Sequence, residues 1–295
     1  VLRWSASAEA RGMSEPENDP LFDEKRQVQE PTGSRIPMRY LIPNVITVLA
    51  ICAGLTGIRL AFENRFELAV SMVLLAAFLD GIDGRIARMM KGSTKFGAQM
   101  DSLADIVNFG VAPALVLYAY MLDQARSFGW IAALLYCIAC CLRLARFNVM
   151  LDVVGKPAWQ NNFFTGVPAP AGAMLVMLPV YLGFLGLAPT RPLAFAAAAY
   201  TVGVAVLMIS RLPVFSGKAA GTRLRSDWVM PSFLFIVVYV AFLMSYTWET
   251  LTLTTIAFFL TFPFSARAWK RHEAADAAVA NALATSTDES SSSVR

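Results

Sequence analysis

Charge is scarce in this chain. Asp, Glu, Lys and Arg make up 16% of its 295 residues, against roughly 25% in a soluble domain, and 57% of the residues are hydrophobic. That balance argues against soluble domains and for one polytopic membrane domain. The formal net charge of +4 is too small to argue for nucleic acid, but it suits an anionic membrane surface or an anionic substrate. Histidine is nearly missing. The single copy, His272, lies in the polar tail, which excludes a Ser–His or Cys–His mechanism among the apolar segments. Cysteine is limited to Cys52, Cys137, Cys140 and Cys141, all inside apolar runs. The C-x-x-C spacing of Cys137 and Cys140 would suggest redox or zinc chemistry in a soluble loop. The flanks "ALLYCIACCLRLA" are lipid-like, so these read as small buried thiols. No internal repeat is evident. Residues 1–36 lack the basic start and apolar core of a cleaved signal peptide and read as a disordered arm that becomes interfacial at "SRIPMRY".

What the chain has is a series of long apolar runs. A helical span needs about 20 mostly apolar residues. Candidate spans are Leu41–Phe62, Leu68–Met89, Gly97–Leu122, Ser127–Met150, Gly166–Leu187, Pro192–Ser210, Val229–Tyr246 and Leu251–Ser265. The expected fold class is all-α, a polytopic integral membrane helical bundle of about eight transmembrane helices. Connections on one side collect Arg35, Arg39, Lys91, Lys95, Lys156, Arg211, Lys218, Arg223, Arg225, Arg267, Lys270 and Arg271. The other side has Arg65, Arg126 and Arg191. The positive-inside bias places the first side, and both termini, in the cytoplasm. The tail 272–295 is Ala- and Ser-rich and reads as disordered.

Within this apolar chain, "FLDGIDGRIARMMKGSTKFGAQMDSLAD" carries four carboxylates. Asp80 and Asp83 are three apart and Asp101 and Asp105 four apart, so each pair shares one helix face. A short connection makes the two helices antiparallel neighbours, with all four side chains at a similar depth. An uncompensated carboxylate costs about 2.5–3.5 kcal/mol at a membrane helix centre, and repulsion adds to that. Arg85 and Arg88 are two cations for four anions. Hard divalent cations compensate better, because they favour carboxylate oxygens. Ion pairing alone, or a proton or ion pathway, is the competing reading. Gly81, Gly84 and Gly97 among the acids fit either close helix packing or the approach of a bulky group to the backbone. Arg88 lies one turn beyond Gly84, suited to a phosphate, and Thr94 offers a hydroxyl. Carboxylates, two metal ions and an arginine beside a glycine gap suit a pyrophosphate substrate and in-line phosphoryl chemistry.

The pattern Asp80-x-x-Asp83-Gly84-x-x-Ala87-Arg88, eight residues to Gly97, then x-x-x-Asp101-x-x-x-Asp105, resembles the CDP-alcohol phosphatidyltransferase signature at every fixed position. "MDSLADIVNFGVAPALVLY", "CLRLARFNV", "FFTGVPAPAGA" and "SRLPVFSGK" resemble the bacterial members that use serine. The likeness runs from about Pro37 to Lys218 and departs at Asn108, where the pattern has serine. It implies a catalytic membrane domain over 37–218, two additional C-terminal membrane helices over 219–271, and an enzyme of the bacterial inner membrane acting at the cytoplasmic face.

The resemblance implies transfer of the phosphatidyl group from CDP-diacylglycerol to L-serine, with two divalent ions, Mg²⁺ or Mn²⁺. Asp80, Asp83 and Asp101 are implied as metal ligands, and Asp105 as ligand and base. Gly84, Arg88, Thr94, Asn44, Ala87 and Gly97 are implied for CDP-diacylglycerol, although Asn44 also suits an ordinary helix start. Arg143 and Arg146, with Asn108 and Asn148, are acceptor candidates. The two arginines equally suit anchors that snorkel to the interface. Arg211 and Lys218 resemble a basic loop near the headgroup, which the positive-inside bias explains almost as well. Family members are commonly homodimers. A sister transferase using glycerol 3-phosphate, inositol phosphate or choline, and an ion-coupled transporter, are the alternatives.

Overall fold

In a bilayer each backbone polar group must find its partner within the protein, so apolar runs of this length fold as helices. The computed structural model describes residues 38–89, 95–151, 163–210, 213–215, 226–262, 264–265 and 267. The arm before Met38, Thr94, Arg211, Lys218 and the tail with His272 lie outside the described residues.

Helix α1 (Met38–Phe62) ends where Asn64 takes a left-handed φ of 60° and the Arg65 amide donates back to the Leu60 carbonyl at 2.9 Å. Asparagine tolerates that conformation, and the back-bond satisfies a carbonyl at the helix end. The turn returns the chain as α2 (Phe66–Met89). The two helices pack tightly, because a Cβ at Gly57 would lie 3.0 Å from the Ala69 carbonyl oxygen.

The next span is one continuous stretch with a widened turn in it. It consists of α3 (Lys95–Asp105), a π-helical turn (Ile106–Val111) and α4 (Ala112–Tyr120). Proline has no amide hydrogen, and its ring clashes with the carbonyl four residues back. For Pro113 that carbonyl belongs to Phe109. The widened turn moves the Ala112 amide onto the Val107 carbonyl, and the Tyr136 hydroxyl donates to Phe109 O at 2.8 Å. Such turns are rare and recur at functional sites. A 3₁₀ turn (Leu122–Ala125) leads into α5 (Ser127–Leu151).

The expected span Gly166–Leu187 contains one apolar helical stretch, Ala169–Phe184, with an interruption. It is broken into α6 (Ala169–Val176) and α7 (Leu178–Phe184) at Met177. Pro179 is the cause. It has no amide hydrogen for the Leu175 carbonyl four residues earlier, and the Tyr200 hydroxyl donates to that carbonyl at 2.9 Å. Then come α8 (Arg191–Ile209), α9 (Ser226–Ser245) and a final helix over 247–262, α10.

One feature departs from a purely helical reading. Strand β1 (Phe163–Thr165) pairs antiparallel with β2 (Pro213–Phe215), Phe164 opposite Val214. The ribbon joins "FFTG" to "LPVF", segments about 50 residues apart. Gly166 closes it with a φ of +79°, where a Cβ would meet the Met208 and Ser210 carbonyls.

Among the described residues four helical stretches are long and apolar enough to cross a membrane: Ile42–Phe62, Phe96–Tyr120, Ser127–Val149 and Arg191–Ile209. Helix α2 has the length but carries the aspartates and arginines of the acidic motif. Ala169–Phe184 and Val229–Ser245 are shorter apolar helices. Large apolar side chains such as Leu49, Leu55, Phe235 and Phe242 face outward, as lipid contact requires. The protein is a polytopic helical membrane protein. Its core is built on Phe109, Leu117, Met121, Tyr136, Leu175 and Tyr181.

Candidate active site

The last turns of α2 supply Asp80 and Asp83, and α3 supplies Asp101 and Asp105. Their spacings put each pair on one face, and the two faces meet. One oxygen from each of Asp80, Asp83 and Asp101 lies within 4.8 Å of the others. Ligand oxygens around one hard divalent ion sit roughly 3–5 Å apart, so these three can hold such an ion. Asp105 lies within electrostatic reach of Asp80 and Asp101, so the fourth carboxyl joins the cluster.

The surroundings test whether a cation fits there. Asp80 Oδ1 and Asp83 Oδ1 are buried and have no hydrogen-bond partner. Among the described residues no Lys or Arg forms a salt bridge with any of the four acids; the ion pair seen there is Arg59–Glu63, at 2.8 Å. Arg88, exposed on the next turn of α2, acts on Asp101 only through space. Leaving buried carboxylate oxygens unpaired costs about 1–3 kcal/mol each, and more when charged. The donor set is all oxygen and anionic, as a hard cation demands. The ion-pairing alternative is therefore not what the described structure shows.

The glycines separate their two readings. A Cβ at Gly81 or Gly84 would meet nothing within 4 Å, so this face of α2 is open rather than packed. An open backbone beside orphaned carboxylates is a cradle for a bulky polar group. Ala87 lies on α2 between Gly84 and Arg88, and Gly97 lies near the start of α3. Asn44 is half-buried on α1, one turn before Thr47.

Thr47 is a site residue the sequence did not single out. Its hydroxyl donates to Asp83 Oδ2 at 2.6 Å from within a buried setting and also lies 3.1 Å from the Pro43 carbonyl. The available signal was a hydroxyl in "PNVIT", one turn after Asn44; its partner is 36 residues away. Tyr136 was also missed, because its partner is a backbone carbonyl.

The acceptor candidates divide. Arg143 is buried on α5, stacks over the Phe147 ring at 5.3 Å and lies within electrostatic reach of Asp105. Arg146 instead donates to the Ile209 carbonyl at 2.8 Å, the open C-terminal end of α8. Asn148 donates to Ser102 Oγ at 3.1 Å, next to Asp101. Asn108 is fully buried inside the π turn, with neither amide atom partnered. These contacts bring the end of α5, the end of α8 and the C-terminal half of α3 together around the acids.

Known proteins resemble this chain in sequence. A family model described as CDP-alcohol phosphatidyltransferase matches residues 40–209, and a second, described as CDP-alcohol phosphatidyltransferase 2, matches 227–263. The CDP-diacylglycerol–serine O-phosphatidyltransferase of Mycobacterium leprae is 45% identical over 193 residues, 62% of this chain and 61% of that protein. The protein of that name from Mycobacterium tuberculosis is 41% identical over 191 residues, 63% of this chain and 65% of the relative. Archaetidylserine synthase of Methanothermobacter thermautotrophicus is 33% identical over 185 residues, 61% of this chain and 73% of that protein. The chain thus spans about three fifths of the length of the two mycobacterial relatives. The first family model covers more than half of the chain and contains all four aspartates, and on that ground the chain belongs to the CDP-alcohol phosphatidyltransferase family.

Proposed function

We propose that this protein transfers the phosphatidyl group of CDP-diacylglycerol to the hydroxyl of L-serine, giving phosphatidylserine and CMP. The observation that carries the reading is the convergence of Asp80, Asp83 and Asp101 beside an open glycine face, with two buried oxygens unpartnered. The names of the relatives supply the acceptor: two are serine transferases and one is an archaetidylserine synthase.

Asp80, Asp83, Asp101 and Asp105 would hold two divalent ions, Mg²⁺ or Mn²⁺. When bound, these ions neutralise the pyrophosphate and the charge that builds on the phosphoryl and leaving oxygens. The chain's own residues do the rest. Gly81 and Gly84 leave room for the pyrophosphate against the α2 backbone, and Arg88 faces a phosphate oxygen. Ala87, Thr94, Gly97 and Asn44 complete the nucleotide side of the cradle, and the acyl chains stay in lipid. Asp105 takes the proton from the serine hydroxyl. The freed oxygen forms its bond to the lipid-side phosphorus, the bond from that phosphorus to the CMP phosphate oxygen breaks, and CMP leaves. The proton then passes from Asp105 to water. Arg143 is the fitting partner for the serine carboxylate, being buried, cationic and near Asp105. Asn148, tied to Ser102, borders the same space. Arg146 is given a structural part, closing the end of α8.

The lysine and arginine bias of the connections supports a site at the cytoplasmic face, with both termini inside, and the bacterial relatives support the inner membrane as its location. The described fold supports 37–218 as the catalytic domain, since every site residue falls there, with the helices after Lys218 as additions. The test supplies purified protein with Mn²⁺, CDP-diacylglycerol and a panel of alcohols. CMP release with L-serine alone is the expected result. Release with glycerol 3-phosphate, inositol phosphate or choline instead would reassign the acceptor, and release with none would overturn the proposal. Asp105→Asn should abolish release while cytidine nucleotide binding persists.

A further inference from the structure

Helix α1 meets Asp83 and the π turn that follows Asp105 from one face. Thr47 bonds Asp83 on α2. Seven residues on, two helical turns and roughly 10 Å along the axis, Gly54 meets Asn108 in the π turn. Asn108 follows Asp105 by three residues, and the turn between them is continuous helix. A Cβ built at Gly54 would lie 2.6 Å from Asn108 Oδ1 and 3.8 Å from the Ala112 Cβ. Only a Cα hydrogen leaves room for that oxygen. Asn108 has no exposed surface, and neither its Oδ1 nor its Nδ2 has a hydrogen-bond partner. A buried amide with no polar partner is held by shape, with at most weak Cα–H···O support.

The opposite side of the turn is also fixed. The Tyr136 hydroxyl holds Phe109 O at 2.8 Å, the Cys137 thiol lies 3.5 Å from Gly110 O, and Cys140 presses on Gly110. The π turn is therefore clamped between α1 and α5, and Asp105 is its first flanking residue.

We infer that Gly54 and Asn108 form a positioning pair, in which the missing side chain at Gly54 seats the π turn and so sets the place of Asp105 relative to Asp80 and Asp83. A methyl group at Gly54 would push Asn108 and the turn away from α1, and Asp105 with them. Neither residue touches a substrate in this role. The inference rests on the proposed metal site but not on serine as the acceptor.

The experiment is a compensation test in detergent-purified, full-length protein. Bound Mn²⁺ is counted by electron paramagnetic resonance without substrate, and CMP release is measured separately. Gly54→Ala should weaken Mn²⁺ binding and slow CMP release, each by roughly 10- to 100-fold, as displaced outer-shell partners do. Adding Asn108→Ala to Gly54→Ala should recover most of both losses, because it removes the atoms the methyl group strikes. Asn108→Gln, one methylene longer against an unaltered Gly54, should reproduce the defect from the other side. Gly203→Ala on α8, where a Cβ meets nothing within 4 Å, is the control and should match the parent. Should Gly54→Ala fail to fold, a folded Gly54→Ala/Asn108→Ala protein is the same rescue. Unchanged Mn²⁺ binding in Gly54→Ala and Asn108→Gln, or a double variant no better than Gly54→Ala, would overturn the pair. Mn²⁺ binding is read without an acceptor, so a wrong acceptor shows only in CMP release.

Discussion

Thr47 holds Asp83 through a single 2.6 Å bond, and the other oxygen of Asp83 is left for something else. Removing the hydroxyl takes the described side-chain donor away from a buried carboxylate. Thr47→Val, nearly the same shape, should raise the divalent concentration for half-maximal CMP release by about tenfold or more, and Thr47→Ser should restore it. The two arginines of "CLRLARFN" now separate by experiment. Arg143→Lys should raise the KM for L-serine by about tenfold or more, because a planar two-point grip on a carboxylate is lost, while the KM for CDP-diacylglycerol holds. Arg146→Lys should leave the serine KM alone and lower the melting temperature, since its one described bond caps α8. The sequence already paired Asp80 with Asp83 and Asp101 with Asp105, because spacings of three and four are a property of any helix. It could not separate Arg143 from Arg146, since both are cations near one helix end and their difference is set by what packs against them.

At the scale of elements, two prolines share one solution. Pro113 and Pro179 each withhold the amide that the carbonyl four residues earlier would take, and a tyrosine from a neighbouring helix donates to each: Tyr136 to Phe109 and Tyr200 to Leu175. Lipid supplies no hydrogen bond to replace a lost one. Tyr136→Phe and Tyr200→Phe should each cost about 1–3 kcal/mol of stability, read by thermal unfolding in detergent. Pro113→Ala returns an amide hydrogen to the Phe109 carbonyl, so adding it to Tyr136→Phe should offset part of that loss. Additive losses in the double variant would show that the tyrosine does something other than cover the carbonyl. Helix existence was legible from the apolar runs. The break at Met177 and the π turn were not, although Pro179 and Pro113 were in view. A proline announces a freed carbonyl; whether the helix breaks, widens or bends depends on which side chain arrives to cover it.

For the whole molecule, the acids crowd at one end of a bundle whose stability is otherwise apolar. An ion that binds only the folded arrangement stabilises it by about 2.7 kcal/mol at 100 times its dissociation constant. Millimolar Mg²⁺ or Mn²⁺ should therefore raise the melting temperature, while Na⁺ at equal ionic strength should not. A chelator should abolish CMP release, and added divalent ion should return it. A melting temperature indifferent to divalent ions would contradict the metal site. The sequence by itself determined that the chain is helical, lies in a membrane and carries four acids at one depth, because hydropathy and helical spacing are local properties. The tertiary structure alone decided that Thr47 serves Asp83, that Arg143 is buried within electrostatic reach of Asp105 while Arg146 caps α8, that "FFTG" pairs with "LPVF", and that Gly54 seats Asn108. Each of those is a contact between residues far apart in the chain, and such contacts exist only once the helices have packed.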